Sequence, residues 1–247
     1  MKITDSDFAK YKDYIQELLT HYGDMIDKYD FVSMRNRILF ELDDEQWLQE
    51  TLEQYAPDLA ATGYNPFDTA FNFLSQTMCK LEGFENLVSD YLINNTNYDE
   101  PFANFEIYEC GPIKCDVIPE FLLSDVIFRC GDVHLHSKKL ERKALAGSDF
   151  NNNSLYIEEG CEEIYTDALE VYDVTNLYLP KSLKHFGYQS LDDRMVEAIH
   201  YNGTSSEFIE LLTNTDMKNN GSAWNKLPVD VVCTDKTLEK GQRIATA

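Results

Sequence analysis

The chain of 247 residues has few basic side chains and no long apolar run. Lys and Arg number 21 against 44 Asp and Glu, which gives a formal net charge of -23. Because phosphate backbones and anionic membranes attract a surplus of Lys and Arg, this balance argues against direct nucleic-acid and membrane binding. No run reaches the roughly 18 to 20 apolar residues of a membrane span. The charge fits a protein partner with a basic surface, and it equally fits plain solubility.

Sequence signals for secretion, disulfide frameworks and cofactors are also missing. The N-terminal stretch MKITDSDFAKYKDY holds no apolar core of the signal-peptide kind, so we expect a cytoplasmic chain. The six cysteines are scattered without a CxxC pair, and we expect free thiols. The sequence holds no P-loop, dinucleotide glycine fingerprint, HExxH or GxSxG motif. We therefore predict no cofactor, no resident metal and no catalytic residue.

Residues 1–98 carry apolar side chains at helical spacing, and we expect a bundle of about five helices there. Thr4, Asp5 or Ser6 is the candidate cap of a first helix that runs on past Tyr22. Asp43 or Asp44 is the candidate cap of the third helix, which Pro57 ends. Asn65-Pro66 begins a fourth helix and Gly83 stops it.

The polar stretch from Asn94 to Glu100 is followed by Pro101 and marks the predicted domain boundary. It separates a helical domain, 1–98, from a second domain, 99–247, in which the hydrophobic rhythm changes.

The second half repeats an apolar triplet every 22 residues. The triplets begin at 133, 155, 177 and 199. Ile164 and Phe186 continue the same spacing, whereas Leu140, Ala144 and Leu145 fit only if the first copy is two residues shorter. One short strand per unit of 20 to 29 residues is typical of leucine-rich solenoids, in which stacked units form a parallel sheet around a shared core. We expect Leu179 and Phe186 inside that core.

The stretch LYLPKSLKHFGYQSL, residues 177–191, resembles the BspA-type leucine-rich repeat. IHYNGTSSEF at 199–208, Ala223-Trp224 and VDVVCTDKTL at 229–238 resemble the C-terminal end of such arrays. The resemblance covers about residues 130 to 238 and implies a short, irregular leucine-rich-repeat solenoid with a C-terminal cap. Together with the helical spacing of residues 1–98, it predicts an α+β chain in which an N-terminal helical bundle is followed by this solenoid. It also implies a helix at 206–212, a plugging role for Trp224 and a final edge strand at 229–233.

The resemblance has departures and a biological implication. Glu158-Glu159 stands where Pro180 stands one unit later, and residues 101–130 match poorly. We expect the N-terminal side of the solenoid to be capped by 101–130 or by the helices. Arrays of this type without a signal occur in bacteriophage genomes, which implies a host cytoplasm or a virion as the location.

A few residue groups admit chemistry, each beside a plainer structural interpretation. His134 and His136 share one face of a strand and are candidates for half a metal site. Cys110 and Cys115 flank a Gly-Pro turn that would bring them together as a metal or redox pair. An acidic cluster consists of Glu41, Asp43, Asp44 and Glu45, and its candidate partners on other helices are Glu82, Glu85 and Asp90. A basic cluster consists of Lys138, Lys139, Arg142 and Lys143.

These observations favour a non-catalytic protein-binding module that uses the extended solenoid surface. A finer hypothesis is a phage-encoded acidic inhibitor of a host defence or nucleic-acid-binding protein. The alternatives are a virion-associated assembly component and a metal-dependent enzyme with its site in the helical half. The candidate partner-binding residues are Tyr156, Glu158, Glu159, Tyr178 and His200.

Overall fold

The computed structural model describes residues 2–23, 30–40, 42–187, 196–214 and 226–244. The described chain is α+β, as expected, with helices in its N-terminal part and a parallel β-solenoid of about four turns in its C-terminal part. Among the described helices, none has the length and apolar character needed to span a bilayer.

The N-terminal part contains more helices than the sequence pattern predicts. They are α1 (Asp5–Lys10), α2 (Lys12–Tyr22), α3 (Phe31–Phe40), α4 (Leu42–Tyr55), α5 (Pro57–Ala60), α6 (Pro66–Glu82) and α7 (Phe84–Asn94).

Two boundaries correct the prediction. The expected first helix is divided at Tyr11, whose side chain is buried and whose hydroxyl donates to Asp58 at 2.8 Å. Pro57 lies beyond the end of α4 and is the first residue of α5. Proline suits this position, because the N–H that it lacks would have no acceptor within the helix.

The helix ends follow the predicted capping chemistry. Thr4 and Asp7 form a capping box at the start of α1, and the Asn65 side chain accepts the Phe67 N–H at the start of α6. Gly83 joins α6 to α7 with a φ of 78°, a backbone conformation that favours glycine. The acidic and capping residues therefore specify these helices locally.

The C-terminal part is built from short strands in two sheets. The strands are β1 (Glu106–Ile107), β2 (Ile113–Lys114), β3 (Val117–Ile118), β4 (Ile127–Phe128), β5 (Val133–His136), β6 (Lys139–Leu140), β7 (Asp149–Ile157), β8 (Glu163–Ile164), β9 (Tyr172–Leu179), β10 (His185–Phe186), β11 (Val196–Tyr201), β12 (Asp230–Val232) and β13 (Thr237–Leu238). Within the described ranges, the long sheet has the order β1-β4-β7-β9-β11-β12-β13, with β2 and β5 joined to it beside β7. The short sheet has the order β3-β6-β8-β10. All pairings are parallel except that of β12 with β13.

The strand register confirms the 22-residue repeat. Leu155 pairs with Val133 on one side and with Leu177 on the other, and Leu177 pairs with Ile199. The short sheet confirms the two-residue irregularity, because Leu140 pairs with Ile164 across the shortened copy. Each of these positions points inward, and the predicted core residues Leu179 and Phe186 are buried. A parallel stack thus places equivalent residues of successive turns directly against one another.

The sequence repeat does not reveal the first turn of the solenoid. Strands β1, β2 and β3, in the stretch expected to match poorly, form a complete first turn and pair with β4, β5 and β6 of the next turn. Ile113 lies opposite Leu135, and Ile118 lies opposite Leu140. The spacing is again 22 residues, but Gly111-Pro112-Ile113 stands in the place of the apolar triplet that carries the pattern elsewhere.

The helices close the N-terminal end of the solenoid through aromatic packing. Rings on the helices meet rings on the first two turns, with centroids 5.2 to 5.9 Å apart. The helical rings are those of Phe31, Phe71, Phe84 and Tyr91, and the solenoid rings are those of Phe102, Phe105 and Phe128. Buried side chains of the two parts form one continuous core. The helices therefore cover the apolar end that an open solenoid would expose.

A helix and a short hairpin close the C-terminal end. Helix α8 (Ser205–Asn214) agrees with the expected helix, and β12 pairs with β11 as expected. The prediction that this strand is the last at the edge is wrong, because β13 pairs with β12 on its outer side. Thr204 and Glu207 form a capping box at the start of α8. The Asp235 carboxylate accepts both the backbone N–H and the hydroxyl of Ser205. The predicted plug, Trp224, lies outside the described residues, as do Ser190 and Leu191 of the repeat alignment.

Candidate functional site

Four aromatic side chains form a stack along the outer face of the long sheet. We call it the aromatic ladder: His134 on β5, Tyr156 on β7, Tyr178 on β9 and His200 on β11. The strand register sets these residues directly opposite one another on successive turns. Neighbouring ring centroids lie 4.4, 4.1 and 4.5 Å apart, and the interplanar angles are 15° or less. The repeat itself therefore generates the ladder.

The stacking determines which atoms of the ladder face solvent. The inner ring faces are covered by the next ring, so the exposed part of the ladder consists mainly of ring edges, hydroxyls and imidazole nitrogens. His200 Nε2 lies 3.0 Å from Asn176 Oδ1, and burial lowers the pKa of His200. At the other end, His134 Nδ1 lies 2.6 Å from a carboxylate oxygen of Glu158. The ladder suits edge-on polar contact better than stacking of an inserted ring.

A groove of about 370 Å³ runs between the ladder and the C-terminal cap. It is open to solvent and lies at the small end of ligand-binding clefts. Glu158 and Glu159 are its acidic members, and no lysine or arginine belongs to the described lining. The lining residues are Tyr156, Ile157, Glu158, Glu159, Tyr178, Leu179, Pro180, His200, Tyr201, Asn202, Val232, Cys233 and Thr234.

Glu159 joins three turns of the solenoid. Its carboxylate accepts the backbone N–H groups of Lys181 and Ser182 at 3.0 and 3.3 Å, and the Asn202 amide at 2.7 Å. Burial alone would raise the pKa of Glu159, but these hydrogen bonds outweigh it and hold that pKa below its ordinary value. Glu159 is therefore an ionised structural anchor of the groove wall.

Glu158 takes no part in the hydrogen bonds that Glu159 makes to the next two turns, although Glu159 is the more exposed of the two residues. The Glu158 side chain remains 31% exposed, and its recorded ion pair is the one with His134 at the rim. A cation that reaches the groove would meet Glu158 without displacing the hydrogen bonds of Glu159, and it would compete with His134 for the Glu158 carboxylate. The two neighbouring glutamates thus have different roles, which their sequence position does not distinguish.

All five predicted partner-binding residues line this one groove. Tyr156, Tyr178 and His200 supply the ladder side, and Glu158 and Glu159 supply the acidic side. Sequence reasoning missed the contribution of the cap, Val232 and Thr234, and the contribution of Asn202. The pairing of β12 with β11 places Val232 opposite His200 and accounts for the contribution of Val232 to the groove.

The histidine and carboxylate hypotheses do not converge on a metal centre. His134 and His136 share the outer face of β5, as predicted, on either side of buried Leu135. Within the described residues, no group of three or more His, Cys, Asp or Glu side chains is arranged to hold a metal ion. Asp44 is buried and lies 3.1 Å from His21 Nε2 and 3.8 Å from Arg37 Nε, whereas Glu41 and the Asp43 side chain lie outside the described part.

The hypothesis that Cys110 and Cys115 form a metal or redox pair is not supported by the fold. Cys110 interacts with Cys130 of the following turn, and the neighbour of Cys115 is Ser137. The backbone N–H of Cys115 donates to the carbonyl oxygen of His136, and this hydrogen bond continues the pairing of β2 with β5. Stacking of turns therefore decides which thiols meet.

The basic cluster is neutralised mainly by acids on its own solenoid. Lys138 pairs with Asp116 at 3.0 Å and Lys139 with Glu141 at 3.3 Å. Arg142 lies 3.8 Å from Asp167. Lys138 and Arg142 therefore pair with acids of neighbouring turns and Lys139 with an acid of its own turn, and these three cations do not form a surplus basic patch.

Comparisons of the chain with protein-family models, with curated proteins and with solved structures find no match.

Proposed function

We propose that this protein is a non-catalytic binding module whose groove, beside the aromatic ladder, receives an extended basic segment of a protein partner. The observation that carries the proposal is the composition of the groove wall. Two carboxylates, tyrosine edges and apolar cap residues converge there, and the described lining has no Lys or Arg.

The chemistry of the groove favours a lysine or arginine side chain as the anchoring group. The aliphatic stem of such a residue packs against tyrosine edges and Val232, while its charged end reaches Glu158. The overall charge of -23 adds long-range attraction for a basic partner and repels nucleic acid. Charge complementarity of this kind raises association rates and selects partners.

We also propose that the solenoid is a divergent leucine-rich repeat of the BspA type. The 22-residue register, the strand of Leu177 to Leu179 followed by Pro180, and the helix-and-strand cap support this classification. The hypothesis of an acidic inhibitor agrees with this binding mode, because an acidic groove can occupy a basic surface of the target protein.

The test is a binding comparison between two isosteric charge variants. Glu158→Gln removes a groove carboxylate, and Glu141→Gln removes one from a similar ion pair near the short sheet, with side chains 31% and 41% exposed. A panel of arginine- and lysine-containing peptides is titrated by fluorescence anisotropy over a salt series. We expect Glu158→Gln to weaken the tightest peptide about 10-fold or more, and Glu141→Gln to change it less than about 2-fold.

Equal losses of peptide affinity in the two variants would mean that the acidic protein attracts basic peptides in general. That result would contradict the groove assignment. Peptides that bind equally well after Tyr178→Ala would contradict the role of the ladder.

A further inference from the structure

Three of the six cysteines meet where the helices dock on the solenoid. Cys110 follows β1, Cys130 follows β4, and Cys79 lies in α6, which packs against β1. Strands β1 and β4 are paired, with Ile107 opposite Phe128, so the segments that follow them run side by side. The fold thus brings together thiols that are far apart in sequence, and we call this group the seam thiols.

Cys110 and Cys130 form the close pair within this group. The nearness of the two thiols is the main cause of a raised pKa at Cys110 and a lowered pKa at Cys130, whereas the Cys110 thiol itself donates to the Gly111 carbonyl oxygen at 3.1 Å. The other four cysteines behave differently, because burial raises the pKa to about 12 at Cys79 and Cys161 and to about 11 at Cys115 and Cys233. Cys130 is the one cysteine of the six whose thiolate is favoured by its surroundings.

The seam thiols adjoin an opening to solvent. A cavity of about 390 Å³ lies between the N-terminal segment, α6 and the residues that follow β1. Cys79 forms part of its wall, and so do Tyr108 and Glu109, the residues directly before Cys110. Cys110 and Cys130 are each partly buried, neither sealed in the core nor fully exposed. A small oxidant therefore has an approach to the pair.

We propose that Cys110 and Cys130 are a redox-active pair that forms a reversible disulfide across the first two solenoid turns when a peroxide reaches the seam. The Cys130 thiolate attacks one peroxide oxygen, the O–O bond breaks, and the departing hydroxide takes a proton to become water. Cys110 sulfur then attacks the sulfenic sulfur of Cys130, the S–O bond breaks, and the leaving hydroxide takes the Cys110 proton. One peroxide is reduced to two waters while two thiols become one disulfide.

The disulfide would act on the contact between helices and solenoid. Gly111, next to Cys110, donates its backbone N–H to a carboxylate oxygen of Glu85 on α7 at 2.9 Å. Tying Cys110 to Cys130 restrains the loop that carries this contact, and it closes a loop within the first two turns. We therefore expect the oxidised form to hold its helical cap more firmly than the reduced form.

The experiment treats the full-length reduced protein with one equivalent of hydrogen peroxide. Free thiols are counted, and the linked peptides are mapped by mass spectrometry without reduction. Wild type should lose two of its six thiols through a Cys110–Cys130 link, and a thiol reductant should restore them. Cys130→Ser should form no link, whereas Cys115→Ser, a partly buried cysteine of the same turn, should link as wild type does.

A link that joins Cys79 to either partner, or equal thiol loss in wild type and Cys130→Ser, would overturn the proposal. A second measurement needs no variant and so does not depend on whether a substituted chain folds. The melting temperature of oxidised wild type should exceed that of reduced wild type by about 5 °C or more. An unchanged or lower value would show that the bond does not fit the native geometry.

Discussion

The two ends of the solenoid are closed by structures of different size. At the N-terminal end, helices press aromatic rings against the first two turns, and the buried side chains merge into one core. At the C-terminal end, α8 and β12 bury apolar side chains such as Phe208 and Val231, and hydrogen bonds of Ser205 with Asp235 and of Thr204 with Glu207 fix the start of α8.

This difference matters for function. Seven described helices cover the N-terminal end, whereas the C-terminal cap has one described helix and two short strands and covers less of the sheet beside it. The groove lies at the C-terminal end, between the ladder and the cap, where edge groups remain accessible. We therefore expect the proposed binding surface at the more lightly closed end.

Removal of the helices should have the largest effect. We expect residues 101–247 alone to aggregate, because Phe102, Phe105 and Phe128 would lose the rings that cover them. Size-exclusion chromatography and circular dichroism check this against the full chain. A soluble monomer with native β-sheet signal would contradict the view that the helices are the N-terminal cap.

A charge inside the shared core comes next. Leu179→Asp and Phe186→Asp each place an unpaired carboxylate where the side chain is now buried, and each should cost about 4 kcal/mol or more of unfolding free energy. Tyr172→Asp is the matched control, since Tyr172 is 47% exposed on β9, and it should change the stability by less than about 0.5 kcal/mol. Urea denaturation gives the three values. Wild-type stability in Leu179→Asp or Phe186→Asp would disprove the repeat register.

Two phenylalanines compare the ends directly. Phe105→Ala removes a ring that contacts Phe31 and Phe71, whereas Phe208→Ala removes a ring that packs against Tyr201 within the cap. Each should cost about 3 kcal/mol. Hydrogen exchange should show faster opening of helices and first turns together in Phe105→Ala, and faster opening confined to α8 and β12 in Phe208→Ala. The same exchange pattern in both variants would contradict the difference between the ends.

The smallest effect is a pH dependence of the C-terminal cap. The pKa of Glu207 falls from 4.5 to about 2, because its carboxylate accepts the Thr204 N–H, pairs with Lys181 and accepts the Thr204 hydroxyl. A depressed folded pKa adds stability that is complete above the unfolded value and is lost as pH falls toward about 2. Exchange of α8 amides should therefore accelerate below about pH 4.5, beyond the intrinsic change with pH. Glu207→Gln should remove that extra dependence, and an identical profile in the variant would assign it to other groups.

Much of this fold follows from local patterns. The caps at Thr4 and Asn65 and the 22-residue triplets depend on neighbouring residues or on a repeat, and both are visible in one sequence. The triplets also contain the ladder, because Tyr156 and Tyr178 occupy equivalent middle positions.

The rest depends on contacts between distant residues. The docking of Phe84 against Phe128 joins separate segments, and no local pattern encodes that choice. The first turn was hidden because Gly111 and Pro112 interrupt its apolar triplet. The anchoring role of Glu159 depends on a loop that places its carboxylate beside the Lys181 N–H, with Gly160 at a φ of 104°.

The central claim, that the lightly closed end carries the binding surface, is tested most directly by site-specific crosslinking. A photoreactive amino acid replaces either Val232, which lines the groove and is 37% exposed, or Val117, which is 36% exposed on β3 of the short sheet. Each protein is irradiated in a lysate of the organism that encodes it. We predict one dominant crosslinked protein at position 232, lost when Glu158→Gln is added, and none of it at position 117. Equal crosslinking of that protein at both positions would contradict the account.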